Sequence, residues 1–282
     1  MGIHPTAMVD ASANLGQDVT VGPYAIIERD VTIGDRSTVE AFAIIKERSI
    51  LGCDNHVHER ATIGGAPQHL RRPDRLGSVT IGQGNTIREN STIHRALHDG
   101  SSTVIGDHNY MMVGAHVAHD CIVGDHTIFA NNATLGGHVV VEDRAYISGN
   151  VAVHQFCRIG MLAMCGGLAR VVKDVPPFVT VDGTTSNVVG LNTIGLRRAG
   201  YTTAQITDLK KAYRVIYRSG ITWREIIDTL QREFTSDPAV HFGRFLPLVT
   251  RGIVQERRMP PGATVKFTEE AVPEPTLRVA GA

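Results

Sequence analysis

Counting from Ile3 in steps of six, the chain places an aliphatic residue at Val9, Leu15, Val21, Ile27, Ile33, Val39, Ile45, Leu51, Val57 and Ile63. The phase resumes at Ile81, Ile87 and Ile93. It resumes again at Ile105 and holds through Met111, Val117, Val123, Phe129, Leu135, Val141, Ile147, Val153, Ile159, Cys165 and Val171. Of 29 positions on this phase, 26 are apolar, where a 42% apolar composition would give about 12. A strand alternates with period two and a helix with 3.6, so a strict period of six fits neither alone. It fits short strands joined at corners, with three six-residue units making each turn of a triangular prism.

The unit has a second signature. Gly follows the apolar residue eleven times, as at Gly16, Gly22, Gly34, Gly52 and Gly64. Four residues after the apolar position the side chain is often Ala, as at Ala7, Ala25, Ala43, Ala115 and Ala133. Each unit therefore carries one large inward residue, one small residue and a turn that favours Gly for its backbone freedom.

The phase fails only at His69, Arg75 and Asp99. These fall in two segments, near 64–80 and 94–104, rich in charge, Gly and His (GAPQHLRRPDRLGS and HRALHDGSST). They read as loops leaving the prism without shifting its phase, and loops on a rigid scaffold are where sites are commonly built. After Pro176 and Pro177 the repeat ends. Residues 203–219 show helical spacing at Ile206, Leu209, Tyr213, Ile216 and Tyr217, stopped by Gly220. A second helix is expected over 222–234 with Trp223, Ile226, Ile227 and Leu230 inward, and a third over 238–254, interrupted by Gly243 and Pro247. The expected organisation is an all-β parallel β-helix over 1–190, a small α-helical domain over 191–256, and a proline-bearing disordered tail over 257–282.

Composition narrows the class. Aromatic residues make up only 5% and Gly numbers 29, which suits a narrow aliphatic core. Formal net charge is zero, so bulk charge argues for neither nucleic acid nor membrane. The charge is unevenly placed: residues 1–190 carry a net −5 and residues 191–282 a net +5. Cys53, Cys121, Cys157 and Cys165 are far apart with no CxxC, against a zinc ribbon or disulfide framework. No apolar run approaches the length of a membrane span and no basic-then-apolar leader opens the chain, so a cytoplasmic protein is expected.

Coils of three units turn the sequence into a surface, with neighbouring rungs about 4.8 Å apart. His119, Gly137 and Gln155 share one column; Asp120, His138 and Phe156 share the next. Any single His is more commonly an exposed residue without a role, and thirteen in one chain will cluster somewhere. The gathering of His116, His119, His138 and His154 on neighbouring rungs is what a solvated face does not demand. A neutral imidazole can take a proton from a hydroxyl near neutral pH. Asp120 can orient it. Gly137 presents an N–H to a reacting carbonyl with no side chain in the way, and such a donor typically lowers the barrier by about 3 kcal/mol. That pairing suits direct acyl transfer to a hydroxyl. The rival reading of the same histidines is zinc, as in proteins resembling the gamma class of carbonic anhydrases. A catalytically silent scaffold is a third, against which both His119 and Gly137 stand.

The stretches TIHRA (92–96), HVAHDC (116–121), ANNATLGGHV (130–139), VHQFCRIG (153–160), DVPPFV (174–179) and IYRSG (216–220) resemble the UDP-N-acetylglucosamine 3-O-acyltransferases of lipid A biosynthesis. The resemblance covers about residues 1–255. It implies a left-handed coil, an exception to the usual right-handed crossover. It also implies a homotrimer with sites between prisms, no cofactor, and no metal. The donor would be a 3-hydroxyacyl chain on acyl carrier protein and the acceptor a UDP-sugar. His119 would be the base, Asp120 its partner and the Gly137 amide the oxyanion donor. His116, His138, His154, Gln155, Arg71, Asn192 and Arg198 would position substrate. Met164 and Gly167 would line the acyl groove, where the small Gly167 favours a longer chain. The basic residues Arg197, Arg198, Lys210, Lys211, Arg214 and Arg218 would suit an acidic carrier protein. The chain departs from the family at His69, where an acidic residue is usual, at Arg71 for Lys, at Ile194 for an acidic residue and at Ala199 for Arg. A different sugar nucleotide, such as a 3-amino sugar, is the alternative acceptor.

Overall fold

Residues 2–257 are described by a computed structural model. They form a left-handed parallel β-helix followed by a small helical domain. The short strands stack into three faces of 11, 9 and 8 strands. The first face begins at Gly2–Ile3, the second at Met8–Val9 and the third at Asn14–Leu15. Most strands are two residues long, one residue pointing out and one in. The inward residues are the six-period aliphatics, among them Ile27, Ile45, Val57, Ile87, Val117, Leu135 and Ile159, all at most 1% exposed. Burying each such side chain contributes about 1.5–3 kcal/mol, and the stack repeats that contribution rung after rung.

Over the first coils each strand pairs with the one three units on, Gly2 with Thr20 and Thr20 with Thr38, and the same spacing returns from Val104 with Ile122 onward. Across the two loops the spacing widens. Over the first loop it grows by two units, so that Val57 pairs with Ile87 and Ile63 with Ile93. Over the second it grows by one, so that Ile87 pairs with Met111 and Thr92 with His116. Flanking strands reach Gly65, Ser78, His94 and Ser102, so the loops proper are 66–77 and 95–101, shorter than the spans expected. Nor do they simply protrude: Leu76, Arg95, Ala96 and Leu97 are buried.

Backbone freedom does not explain most of the repeat's glycines. The left-handed backbone angle falls three residues after the inward aliphatic, at Asp18, Tyr24, Asp30, Arg36 and their successors, and most of these are not Gly. Most glycines one residue after the aliphatic are there for room; Gly64, unlike Gly16, Gly22, Gly34 and Gly52, also takes a left-handed angle. A Cβ on Gly34 would lie 2.6 Å from the Gly52 carbonyl carbon, and one on Gly136 would lie 2.8 Å from the Gln155 nitrogen. The coil edges approach too closely there for any side chain.

Among the described residues nothing covers the N-terminal end of the stack, where Ile3 and Met8 are exposed. At the other end the strand Val188–Leu191 turns back antiparallel on Val179–Val181 and leads into the helices. These are α1 (Thr193–Arg198), α2 (Thr203–Arg218), α3 (Trp223–Glu233) and α4 (Val240–Phe245), with a 3-10 turn at Leu246–Leu248. Thr202 with Gln205 and Thr222 with Glu225 form capping boxes that start α2 and α3. Leu209, Ile226, Leu230, Phe242 and Phe245 join Phe178 of the last coil in a second core. Trp223 is not inward as expected: it sits in the first turn of α3, 40% exposed. The third helix is also shorter than its pattern, with buried Gly243 inside α4 rather than breaking it. The tail expected to be disordered lies, beyond Arg257, outside the described residues. No helix among the described residues is long and apolar enough to cross a membrane.

Candidate active site

The corner between the second and third faces carries His119. The residue lies just past the strand His116–Val117, and Asp120 takes the left-handed angle that turns the chain toward Ile122–Val123. On the next rung His138, and on the one after it Phe156, adopt the same angle. The repeat therefore imposes the columns His119, Gly137, Gln155 and Asp120, His138, Phe156. His119 Nδ1 lies 2.7 Å from Asp120 Oδ2, and both side chains are 12% exposed. The imidazole lies over Gly137: a Cβ there would stand 2.7 Å from Cε1 and 2.8 Å from Nε2. Gly137 is thus required by the ring above it. Its N–H donates to no protein acceptor among the described residues, whereas the flanking Gly136 and His138 amides bond to Val153 and His119.

The second loop fixes the carboxylate. The backbone N–H of Leu97 donates to Asp120 Oδ2 at 3.0 Å, and the Ser101 hydroxyl donates to Oδ1 at 3.3 Å. Asp120's own N–H donates to Thr103 Oγ1 at 2.8 Å. Burial pushes the Asp120 carboxyl up, but the hydrogen bonds from His119 and Leu97 outweigh it and hold it below the usual range. It is an anion at neutral pH, able to keep Nδ1 protonated and leave Nε2 as the acceptor. Burial pushes His138 down, against the pull of Asp120. Its ring stacks on Phe156 at 4.6 Å and stands edge-on to His119 at 5.3 Å. His116 faces outward on the second face, its Nδ1 2.7 Å from Thr92 Oγ1, and burial lowers it too. His154 and Gln155 are exposed one rung beyond Gly137.

The remaining sequence candidates are elsewhere. Asn192, Arg198 and Met164 line a cavity of about 690 Å³ on the first face, together with Tyr146, Ile194 and Ala199. Asn192 also caps α1, accepting from the Gly195 N–H. In a triangular prism the first face is opposite the corner that holds His119, so one chain does not bring this cavity and His119 together. Gly167 lies at the corner between the first and second faces, exposed, with only Gly149 O within 4 Å of an added Cβ, at 3.5 Å. Arg71 is exposed in the first loop, its N–H donating to His69 Nδ1. Of the basic helical residues, Arg218 pairs with Glu256 and Lys211 with Asp208, while Arg197, Lys210 and Arg214 are exposed.

Sequence reasoning missed several participants. His94 stands edge-on to His116 at 4.9 Å, and burial pushes its imidazole down to about 4. His69 comes edge-on to His119 at 5.9 Å. Thr92, Leu97, Ser101 and Thr103 were missed because a column drawn at three units per coil does not cross the loops. The four-unit step from Ile87 to Met111, visible in the apolar phase, would have aligned Thr92 with His116. As for metals, ligand atoms of His119, Asp120 and His138 lie within 4.8 Å of one another, as do those of His58, Glu59 and Glu89. In the second group Arg88 already holds Glu89 through two hydrogen bonds.

A family model described as UDP N-acetylglucosamine O-acyltransferase, domain 2, matches residues 174–254. One described as bacterial transferase hexapeptide, six repeats, matches 12–47 and 102–137. A protein of Halorhodospira halophila is 52% identical over 220 residues, 78% of this chain and 85% of the relative. One of Neisseria gonorrhoeae is 50% identical over 255 residues, 90% of this chain and 99% of the relative. Both are named acyl-(acyl-carrier-protein)–UDP-N-acetylglucosamine O-acyltransferase. Among solved structures, the Acinetobacter baumannii LpxA superposes with a TM-score of 0.87 at 38% identity, covering 90% of this chain and 99% of that one. The UDP-N-acetylglucosamine O-acyltransferase of Moraxella catarrhalis gives 0.88 at 37%, covering 90% and 100%.

Proposed function

The chain belongs to the UDP-N-acetylglucosamine O-acyltransferase family, and we propose that it transfers a 3-hydroxyacyl chain from acyl carrier protein to the 3-hydroxyl of UDP-N-acetylglucosamine, the first step of lipid A biosynthesis. The observation that carries the mechanism is the His119–Asp120 pair set over the open N–H of Gly137. His119 Nε2 takes the proton from the sugar hydroxyl as its oxygen attacks the thioester carbonyl. The oxyanion that forms is held by the Gly137 N–H. Collapse expels the carrier's thiolate, and His119 returns the proton to sulfur. Asp120 keeps the imidazole in the tautomer this needs and stabilises the imidazolium. The steps balance with donor, acceptor and this dyad, so the reading calls for no cofactor and no metal.

His116, His138, His154, Gln155 and Arg71 then position the acceptor around the dyad. Asn192 and Arg198 hold its nucleotide. Met164 and Gly167 border the acyl chain. Since the nucleotide half and the chemical half lie on opposite sides of one prism, the reading requires a second copy to complete each site. A homotrimer with the site between neighbouring prisms satisfies this. The exposed Arg197, Lys210 and Arg214 would steer the acidic carrier protein, and both substrates place the enzyme in the cytoplasm. The test is to incubate the protein with 3-hydroxyacyl carrier proteins of several lengths and a panel of sugar nucleotides. Mass spectrometry should find an ester on UDP-N-acetylglucosamine. An amide on a 3-amino sugar nucleotide alone would move the acceptor to the alternative. No acylated product from any pair would sink the reading.

A further inference from the structure

A second cavity, of about 520 Å³, opens at the same corner as His119 but on its N-terminal side. It is walled by the second and third coils and by the two loops. Five arginines line it: Arg29, Arg48, Arg72, Arg75 and Arg95, against the carboxylates of Asp30, Glu47 and Asp74. Glu47 is engaged twice, by Arg29 and by Arg95, the latter at 2.9 Å. Arg48 pairs with Asp99 and donates to the Leu76 carbonyl. Those contacts leave the side chains of Arg72 and Arg75 without a hydrogen bond or ion pair among the described residues, both exposed. Arg95 is 8% exposed, and its Nε is buried with no partner.

A buried guanidinium donor without an acceptor is unfavourable. Several guanidinium forks around one polar space match the oxygens of a phosphate. We propose that this cavity is an anion site that takes a phosphate or diphosphate group, with Arg72, Arg75 and Arg95 as its donors. It adjoins the proposed chemistry through both loops. Leu97, two residues after Arg95, holds Asp120, and His69, three before Arg72, stands against His119. The phosphate can come from a free anion or from the acceptor's own diphosphate. Only that second source rests on the function proposed above.

Calorimetric titration of the intact protein with inorganic pyrophosphate tests the site without turnover. Wild type should bind it, and Arg72→Ala/Arg75→Ala should weaken binding at least tenfold. Arg224→Ala/Arg232→Ala, which removes the same charge from exposed positions on α3, should leave it unchanged. Because Arg72 and Arg75 are exposed loop residues, the double variant should fold, which its circular dichroism would verify. Under those results, an unchanged KM for UDP-N-acetylglucosamine in the double variant assigns the site to a free anion, and a KM raised in parallel assigns it to the acceptor's diphosphate. No binding by wild type, or equal binding by the Arg72/Arg75 variant, overturns the proposal.

Discussion

Two corners of the same prism use one backbone and do opposite things with it. At four rungs of the corner between the third and first faces, the amide two residues after the inward aliphatic is capped from the next coil. Gln17 N–H donates to Asp35, Gln83 to Asp107, Asp107 to Asp125 and Asp125 to Asp143, at 2.7–2.9 Å. At the corner between the second and third faces, Gly137 occupies the equivalent place, and the residue one coil further on is Gln155. No carboxylate reaches the Gly137 N–H, and an imidazole lies over it. The repeat thus generates an amide donor on every rung. Aspartates silence four of these donors along the third–first corner, whereas beneath His119 the Gly137 donor is left open. On this reading the oxyanion site was built by leaving out a cap.

That contrast can be broken in order of expected effect. His119→Ala should lower kcat about a thousandfold with little change in acceptor KM, as loss of a general base does; wild-type turnover would remove His119 from the chemistry. Gln155→Asp copies the aspartate ladder into the corner that holds His119. Its carboxylate should cap Gly137 and lower kcat about a hundredfold, while Gln155→Asn retains clearly more. If both variants turn over alike, the Gly137 amide is not the oxyanion donor. Arg198→Ala, on the far face, should instead raise acceptor KM about tenfold with kcat near wild type. Mixing it with His119→Ala should restore wild-type behaviour at about a quarter of the sites, because random assembly pairs intact halves from different chains. Failure of any mixture to exceed the two variants measured separately would put both halves in one subunit. The smallest effect belongs to the ladder itself: Asp143→Ala uncaps Asp125 and should lower the melting temperature by about 2 °C without touching kcat.

The sequence carried the coil plainly, because a strict spacing leaves little choice of inward residue, as Val117, Leu135 and Val153 show. It also placed His119 above Gly137, since both lie beyond the second loop, where each coil is three units long. Three things were not legible. The loops lengthen the coils that carry them, by two units and then by one, which hid the contacts of Leu97 and Ser101 with Asp120. The reason for the glycines was misread, because close approach between coils and backbone angle both select Gly and only coordinates separate them. Trp223 has helical spacing with Ile226 and Leu230, yet the first turn of α3 overhangs the core that those two enter. The distance between Arg198 and His119 follows from the triangular cross-section and not from any local motif.

Among the described residues the stack is bare at one end and covered at the other. Each coil leans only on its neighbours, so opening is expected to begin at the uncovered rim and travel inward rung by rung. His119 sits in the sixth coil. Thermal fraying at Ile3 and Met8 would have to unwind five turns before the imidazole lost its seat, while the helical cap guards the other approach. The His119–Gly137 geometry is thereby separated from that uncovered rim by length alone.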